Sequence, residues 1–362
     1  MLYFLSLTKR CNLNCKYCGE GDYNKYRIYD RLDSVIEPVF NFLLKDPSPT
    51  ICFYGGEPLL NIPLLKKVMD TIPQATYLLQ TNGLLLHRLK HFYLNKLHTI
   101  LVSVDGSPDI TDYYRGKGTF QTIRSNLRNI KRNGFSGDLI ARMTISHKSN
   151  IYRDVNFLLA LKDPSFDHVH WQLDVIWSEL KNWNGFNDWV RTSYNLGITR
   201  LVIEWVDYIK NNSKLSGIVP FIGIMKTLLS GAPSELRCGA GIDSFAIQTN
   251  GSIYACPVCP EFDDFIIGHV TTDKPEDIYR SLSVISPCPT CEVYSICGGR
   301  CLFANHHNFW GDNFSYVCDT VKHLISELKR IQPEIESLIN KGVISKADFD
   351  YPAINNSCEI IP

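Results

Sequence analysis

The chain contains no apolar run of about 18 residues, which excludes an ordinary membrane-spanning helix. It opens MLYFLSLTKRC, without a basic n-region or a long apolar stretch, and this excludes a secretory signal peptide. It carries no net charge, Lys+Arg 37 against Asp+Glu 37, so no electrostatic footprint for nucleic acid is visible. No repeats or low-complexity segments stand out, and no histidine precedes His87.

Cysteine, by contrast, is abundant, with 13 in 362 residues. A small secreted domain would use them as disulfides. A large, leaderless chain points instead to the cytoplasm and to metal clusters. Three of them, Cys11, Cys15 and Cys18, form a C-x3-C-x2-C run directly after a short apolar segment. A structural zinc site wants four ligands, commonly two C-x2-C pairs, and the next cysteine, Cys52, is 34 residues on. Three thiolates are one fewer than a cubane [4Fe–4S] cluster needs; they leave one iron open to a ligand from outside the protein.

The length allows two domains. Short β-rich runs alternate with amphipathic stretches from residue 2 to about residue 176. The expected strands are Leu2–Leu7, Thr50–Tyr54, Tyr77–Gln80, Thr99–Val104, Leu139–Ser146 and His168–Val175. Helical spacing joins Val35, Val39, Phe40 and Leu43, and again Ile123, Leu127 and Ile130, with Asp33 and Asp154 as N-caps or first-turn acids. Six such units with right-handed crossovers make a parallel sheet. Periodicity alone leaves a six-stranded partial barrel and an open doubly wound sheet both open. Each unusual motif follows or closes a strand: the cysteines the first, Gly55-Gly56-Glu57-Pro58 the second, Thr81-Asn82-Gly83 the third, Asp105-Gly106 the fourth. Loops at that edge of a parallel barrel are where active sites are built.

The cysteine run, with Tyr17 before its last cysteine, resembles the signature of the radical S-adenosylmethionine (SAM) enzymes. The resemblance implies that Cys11, Cys15 and Cys18 hold a [4Fe–4S] cluster whose open iron binds the amino and carboxylate groups of SAM. Gly55, Gly56, Glu57 and Pro58 resemble the family's SAM-binding turn, in which backbone and Glu57 would contact the methionine amino group; taken alone, the glycines also read as a simple turn. Ser103 and Asp105 are similar to a fourth-strand segment that helps hold the ribose and methionine moieties. Arg142 is a natural carboxylate partner, and Tyr17 would lie beside the adenine. A local turn and a buried ion pair remain the other reading of Asp105 and Arg142.

The order C-x12-G-x4-C, then C-x2-C-x5-C-x3-C, then a last cysteine matches the SPASM extension of the same enzymes, through Cys238, Gly251, Cys256, Cys288, Cys291, Cys297, Cys301 and Cys318. It implies two auxiliary [4Fe–4S] clusters. Cys238, Cys256 and Cys301 would hold the first, with Cys259 as its fourth ligand or else a free thiol beside an open iron. Cys288, Cys291, Cys297 and Cys318 would hold the second. That leaves Cys52 as a buried core residue, Cys358 as a free thiol or a tail reaching a cluster, and His306 and His307 as structural.

The expected fold is α/β: a partial (β/α)6 barrel (1–180), a helical connector (181–237), a small α+β SPASM domain (238–320) and a C-terminal helical tail (321–362). Leu201, Trp205, Val206 and Ile209 carry helical spacing in the connector, with breaks at Asn211-Asn212 and Pro220. Val321, Leu324, Ile325, Leu328 and Ile331 do so in the tail, with a break expected at Pro333.

The resemblance implies cleavage of SAM to a 5′-deoxyadenosyl radical and oxidative modification of a peptide or protein side chain, forming a thioether or carbon–carbon cross-link. It further implies a low-potential electron donor. Sulfatase maturases, which make formylglycine, usually carry Asp after the cysteine of the G-x4-C segment; here Pro257 stands there. The chain starts at its first strand, which leaves leader recognition to a separate protein or to residues 176–237. A dehydrogenating maturase, a small-molecule oxidoreductase on the same scaffold and, outside enzymes, an iron–sulfur electron carrier or a zinc-binding module are the alternatives.

Overall fold

A computed structural model describes residues 1–18, 32–175, 183–259, 262–278, 282–308, 310–311, 314–352, 354 and 361–362. Cys358, the side chain of Asp33 and the boundary expected at 180/181 lie outside the described residues.

All six expected strands form, each within two residues of its expected bounds: β1 (Leu2–Thr8), β2 (Thr50–Gly55), β3 (Thr76–Thr81), β4 (Leu97–Ser103), β5 (Asp138–Ile145) and β6 (His168–Leu173). Each pairs in parallel with its predecessor. A doubly wound sheet would return to its first strand and grow the other way. Here every crossover through β6 adds on the same side, which resolves the topology as a partial barrel.

The sheet also continues past the barrel. Three short strands, β7 (Ser244–Ile247), β8 (Ser252–Tyr254) and β9 (Ile266–His269), extend it from the other edge of β1. Strand β7 is parallel to β1, and β8 and β9 are antiparallel. Barrel and C-terminal segment therefore share one nine-stranded sheet.

Alternation along β1 sends its residues into two cores, because successive side chains leave a strand on opposite faces. Tyr3, Leu5 and Leu7 join the outer core with helices α1 (Ile36–Leu43), α2 (Ile62–Thr71) and, beyond α3 (Pro108–Arg115), α4 (Thr119–Arg132). Leu2, Phe4 and the fully buried Cys52 join the inner one. Helix α5 (Ile151–Ala160) starts where Asn150 accepts from the Arg153 amide at 2.9 Å, with Asp154 in its first turn.

The two long helices of the connector are α6 (Asn195–Asn212) and α7 (Val219–Ser230), with a short helix, Phe186–Trp189, and a π-helical turn, Val190–Tyr194, ahead of them. Leu201, Trp205, Val206 and Ile209 are the buried face of α6, and Pro220 sits in the first turn of α7, where its missing N–H costs nothing. The tail differs from expectation. Helix α8 (Phe314–Asn340) runs unbroken through Pro333 and packs on α6 and α7. Ile331, Ile335 and Leu338 are buried on either side of the proline, and burying three such side chains at about 1.5–3 kcal/mol each outweighs the roughly 3 kcal/mol of an interior proline. The helix begins before Cys318, so the boundary expected at 320/321 falls inside it. Among the described residues no helix is long and apolar enough to cross a membrane.

Candidate functional site

The loops leaving the C-terminal ends of β1 to β4 converge on one cavity. The turn after β2 is fastened to the start of the cysteine loop: the Gly56 amide donates to the Thr8 carbonyl at 3.0 Å and the Glu57 amide to that of Arg10 at 2.8 Å. A Cβ on Gly56 would lie 2.3 Å from the Arg10 carbonyl oxygen, and one on Gly55, at φ +126°, 2.2 Å from that of Thr8. The close approach that demands glycine here is therefore to the protein's own backbone, and it sets where the cysteine loop begins. Both glycines also line the cavity.

Glu57 differs from its expected role. Its carboxylate is fully buried and is not among the groups lining the cavity. One oxygen accepts from the Leu59 amide (3.0 Å) and the Thr81 hydroxyl (2.8 Å), the other from the Asn82 amide (2.8 Å). Glu57 thus caps the short helix opened by the buried Pro58 and ties the turn after β2 to the loop after β3. Burial pushes its pKa up to about 7 against the pull of those three donors. Asn82, so held, donates to the Asn12 side-chain oxygen at 2.7 Å and reaches the Cys11 sulfur at 3.7 Å.

Asp105 is likewise buried and committed within the fold. It accepts from Arg115 Nε and Nη2 at 2.8 Å each, from the Tyr17 hydroxyl at 2.6 Å and from the Thr144 amide at 2.9 Å. An ion pair does form, but with Arg115 in place of Arg142. Half-buried among these groups, Tyr17 is held well above its ordinary pKa, mainly by desolvation, and its ring borders the cavity. Arg142 is 6% exposed and lines the cavity; its Nη1 donates to the Met143 carbonyl at 3.2 Å, and its buried Nε has no partner among the described residues. Ser103 lines the same cavity.

Cys11, Cys15 and Cys18 border this cavity, and so do Cys238, Cys256 and Cys301. Cys259 lies behind them, fully buried, hydrogen-bonded to Cys256 and within electrostatic reach of Cys238 and Cys301. A second cavity gathers Cys288, Cys291, Cys297 and Cys318. None of the described cysteines is in a disulfide. Burial raises the pKa of several, Cys288 to about 11 and Cys318 to about 12, so thiolates there need a cation to stabilise them. Among the described residues no three His, Cys, Asp or Glu side chains are drawn together as ligands of a single metal ion. A mononuclear zinc would need sulfurs about 2.3 Å from one centre. Thiolates spread around a cavity, each able to take a different iron, fit a cluster, and the unpartnered Arg142 Nε fits an anionic ligand beside the cysteine loop.

Of the other residues, His306 Nε2 donates to the Ser283 carbonyl at 2.6 Å, and His307 stacks on Phe265. Arg115, Asp174 and Arg300 line the cavity and escaped the sequence reading. Only Arg300 carries a local signal, its place between Gly298-Gly299 and Cys301.

The radical SAM superfamily pattern matches residues 5–152. A radical SAM cyclopropyl synthase, TigE, of Paramaledivibacter caminithermalis is 23% identical over 361 residues, 90% of this chain and 73% of its own. An uncharacterised protein of Archaeoglobus fulgidus is 24% identical over 336 residues, 82% of this chain and 73% of its own. Among solved structures, anSMEcpe with bound AdoMet and the Cp18Cys peptide superposes with a TM-score of 0.72 at 21% identity, covering 94% of this chain and 99% of that one. Streptococcus suis SuiB bound to its precursor peptide SuiA gives 0.54 at 15% identity, covering 83% and 71%. The family binds SAM and a [4Fe–4S] cluster, and the strand order found here is that of its partial barrel. Over residues 5–152, the chain carries a radical SAM domain.

Proposed function

We propose that the protein is a radical SAM maturase that oxidatively cross-links a peptide or protein side chain, using one SAM-binding and two auxiliary [4Fe–4S] clusters. The observation that carries this reading is the sharing of one cavity by two groups of cysteines, the Cys11 loop and Cys238, Cys256 and Cys301, with the third group adjoining. Cys11, Cys15 and Cys18 would hold the cluster that supplies the electron for cleaving SAM to a hydrogen-abstracting radical, and the other two cysteine groups would hold clusters able to accept the electron the substrate loses.

The chain's own residues position and enclose. The Gly55-Gly56 turn presents backbone to the methionine end of SAM, and Ser103 and Arg142 face it from β4 and β5, Arg142 toward a carboxylate. Asp105 and Glu57 act one layer back: Asp105 fixes Tyr17 and Arg115, Glu57 fixes the turn and Asn82. Phe4, Leu13, Leu173, Val258 and Leu302 on the cavity wall exclude water, which protects a reactive radical. A SPASM unit over 238–320 that ends within α8 belongs to the same reading.

Support for a peptide substrate comes from the two superposed structures, both solved with peptides. Support for bond formation comes from the cyclopropyl synthase, since closing a cyclopropyl ring makes a carbon–carbon bond. Pro257, on the cavity wall, disfavours a formylglycine reaction. A low-potential donor supplies the electron. Peptides encoded beside the gene, incubated anaerobically with the protein, SAM and dithionite, are expected to lose two hydrogens by mass spectrometry and to gain a fragmentation-resistant link. SAM cleavage with every such peptide unchanged would overturn the maturase reading.

A further inference from the structure

Arg300 stands where the two cysteine-lined cavities meet and borders both. It follows two glycines at positive φ (74° and 93°) and itself lies at φ 48°, a conformation a side-chain-bearing residue adopts only at a cost. The side chain is 5% exposed. Its Nε donates to the Pro362 main-chain oxygen at 3.1 Å, and the guanidinium lies 4.8 Å from the centre of the Trp310 ring. Its Nη1 is buried with no hydrogen-bond partner among the described residues. Among the described residues no Asp or Glu forms an ion pair with it.

A buried cation with an unused donor calls for an anion. Groups near it able to become anionic are the cysteines of the two cavities and the buried Tyr194, whose hydroxyl accepts a hydrogen bond from Trp171. The main-chain amides of Gly299 and Arg300 donate to the Cys297 sulfur, and Arg300 lines the second cavity together with Cys288, Cys291, Cys297 and Cys318. Arg237, the other cation near Cys297, is occupied: it donates to the carbonyls of Ile296 and Gly223 and to the Thr227 hydroxyl.

We propose that Arg300 is the counter-cation of the cluster held by Cys288, Cys291, Cys297 and Cys318, and that it raises that cluster's reduction potential relative to the cluster it faces across the shared wall. This rests on the cluster reading above. Positive charge and hydrogen bonds at the sulfurs stabilise the reduced, more negative state of an iron–sulfur cluster. Arg300 is thus a positioning residue that makes the second auxiliary cluster the better electron acceptor.

The test needs no substrate. The full chain, reconstituted anaerobically with iron and sulfide, is titrated with dithionite and followed by electron paramagnetic resonance, for the wild type, Arg300→Gln, Arg300→Lys and Trp310→Leu. The signal removed by Cys291→Ala reports the cluster in question. With iron content unchanged, Arg300→Gln is expected to lower that cluster's reduced-to-oxidised ratio about tenfold at the wild-type midpoint, which is 59 mV for a one-electron couple. Arg300→Lys should shift it less, and Trp310→Leu should leave it in place. Unchanged midpoints in Arg300→Gln, or equal shifts in all three variants, would overturn the proposal. Should Arg300→Gln fail to hold iron, the ordering of Lys and Leu variants decides it. Wild-type protein with no iron beyond the Cys11 loop would instead overturn the cluster assignment itself.

Discussion

Arg115 grips Asp105 with two parallel hydrogen bonds of 2.8 Å, ten residues apart in the chain and both buried at the cavity's edge. The pair anchors Tyr17 and the Thr144 amide, and so joins the cysteine loop to β4 and β5. Removing one partner leaves the other as an unpaired buried charge, which costs about 3–5 kcal/mol. Arg115→Met should lower stability by that amount in a urea titration, and Arg115→Lys, which keeps the charge but loses the fork, by less. A loss below about 1 kcal/mol for Arg115→Met would show that the pair does not hold the loop.

Gly56 makes a sharper structural prediction. A methyl group there would meet the main-chain oxygens of Arg10 at 2.3 Å and Lys9 at 2.5 Å, and backbone cannot yield as a side chain can. Gly56→Ala should displace the cysteine loop and remove the iron of one cluster, about four of about twelve atoms per chain. Gly118→Ala is the control: it lies at a positive φ, +83°, but has nothing within 4 Å of the added carbon. It should cost about 1 kcal/mol and no iron.

Glu57 predicts a pH dependence. Its pKa in the folded chain is about 7, above the unfolded value of 4.5, so the folded state holds the proton more tightly. As pH rises from 4.5 to 7 the unfolded chain releases its proton first, and stability falls across that window before levelling off. The fall is about 3 kcal/mol at most. Glu57→Gln lacks the titration, so the difference in unfolding free energy between wild type and variant should change across pH 4.5–7 and be flat above it. A difference flat throughout would contradict the burial argument.

Cys259 separates two readings of the first auxiliary group. Fully buried and bonded to Cys256, it is placed to be a fourth ligand. Cys259→Ala should then remove or convert one cluster, seen as lost iron or a three-iron signal. Cys52→Ala, in the core of β2, should leave iron untouched. Full iron in Cys259→Ala would leave that cluster with an open site.

The six barrel strands were legible because each is an apolar run bounded by loop residues, and burial on both faces preserves that pattern. Strands β7 to β9 were not. At three or four residues each they carry too little periodicity, and they form by adding to an edge of β1 some 240 residues earlier in the chain. Pro333 misled because local propensity ignores the buried stripe on both sides of it. The cysteine groups followed from their resemblance to a known arrangement; spacing alone does not say which thiols meet. Glu57 and the ion pair of Asp105 were read in the right place, but the groups they grip, Asn82 and Arg115, were not legible, since a side chain's aim at a strand end depends on the turn. Arg115 has no local mark, because its partner is chosen by how α3 folds back.

The central claim, that the Cys11 loop initiates radical chemistry on SAM, is tested by one assay. Anaerobically reconstituted protein is mixed with SAM and dithionite, and 5′-deoxyadenosine is quantified with and without candidate peptides. The account predicts 5′-deoxyadenosine from wild type and none from Cys15→Ala. Fully iron-loaded wild type that yields none under either condition, or a Cys15→Ala variant that yields as much, would contradict it.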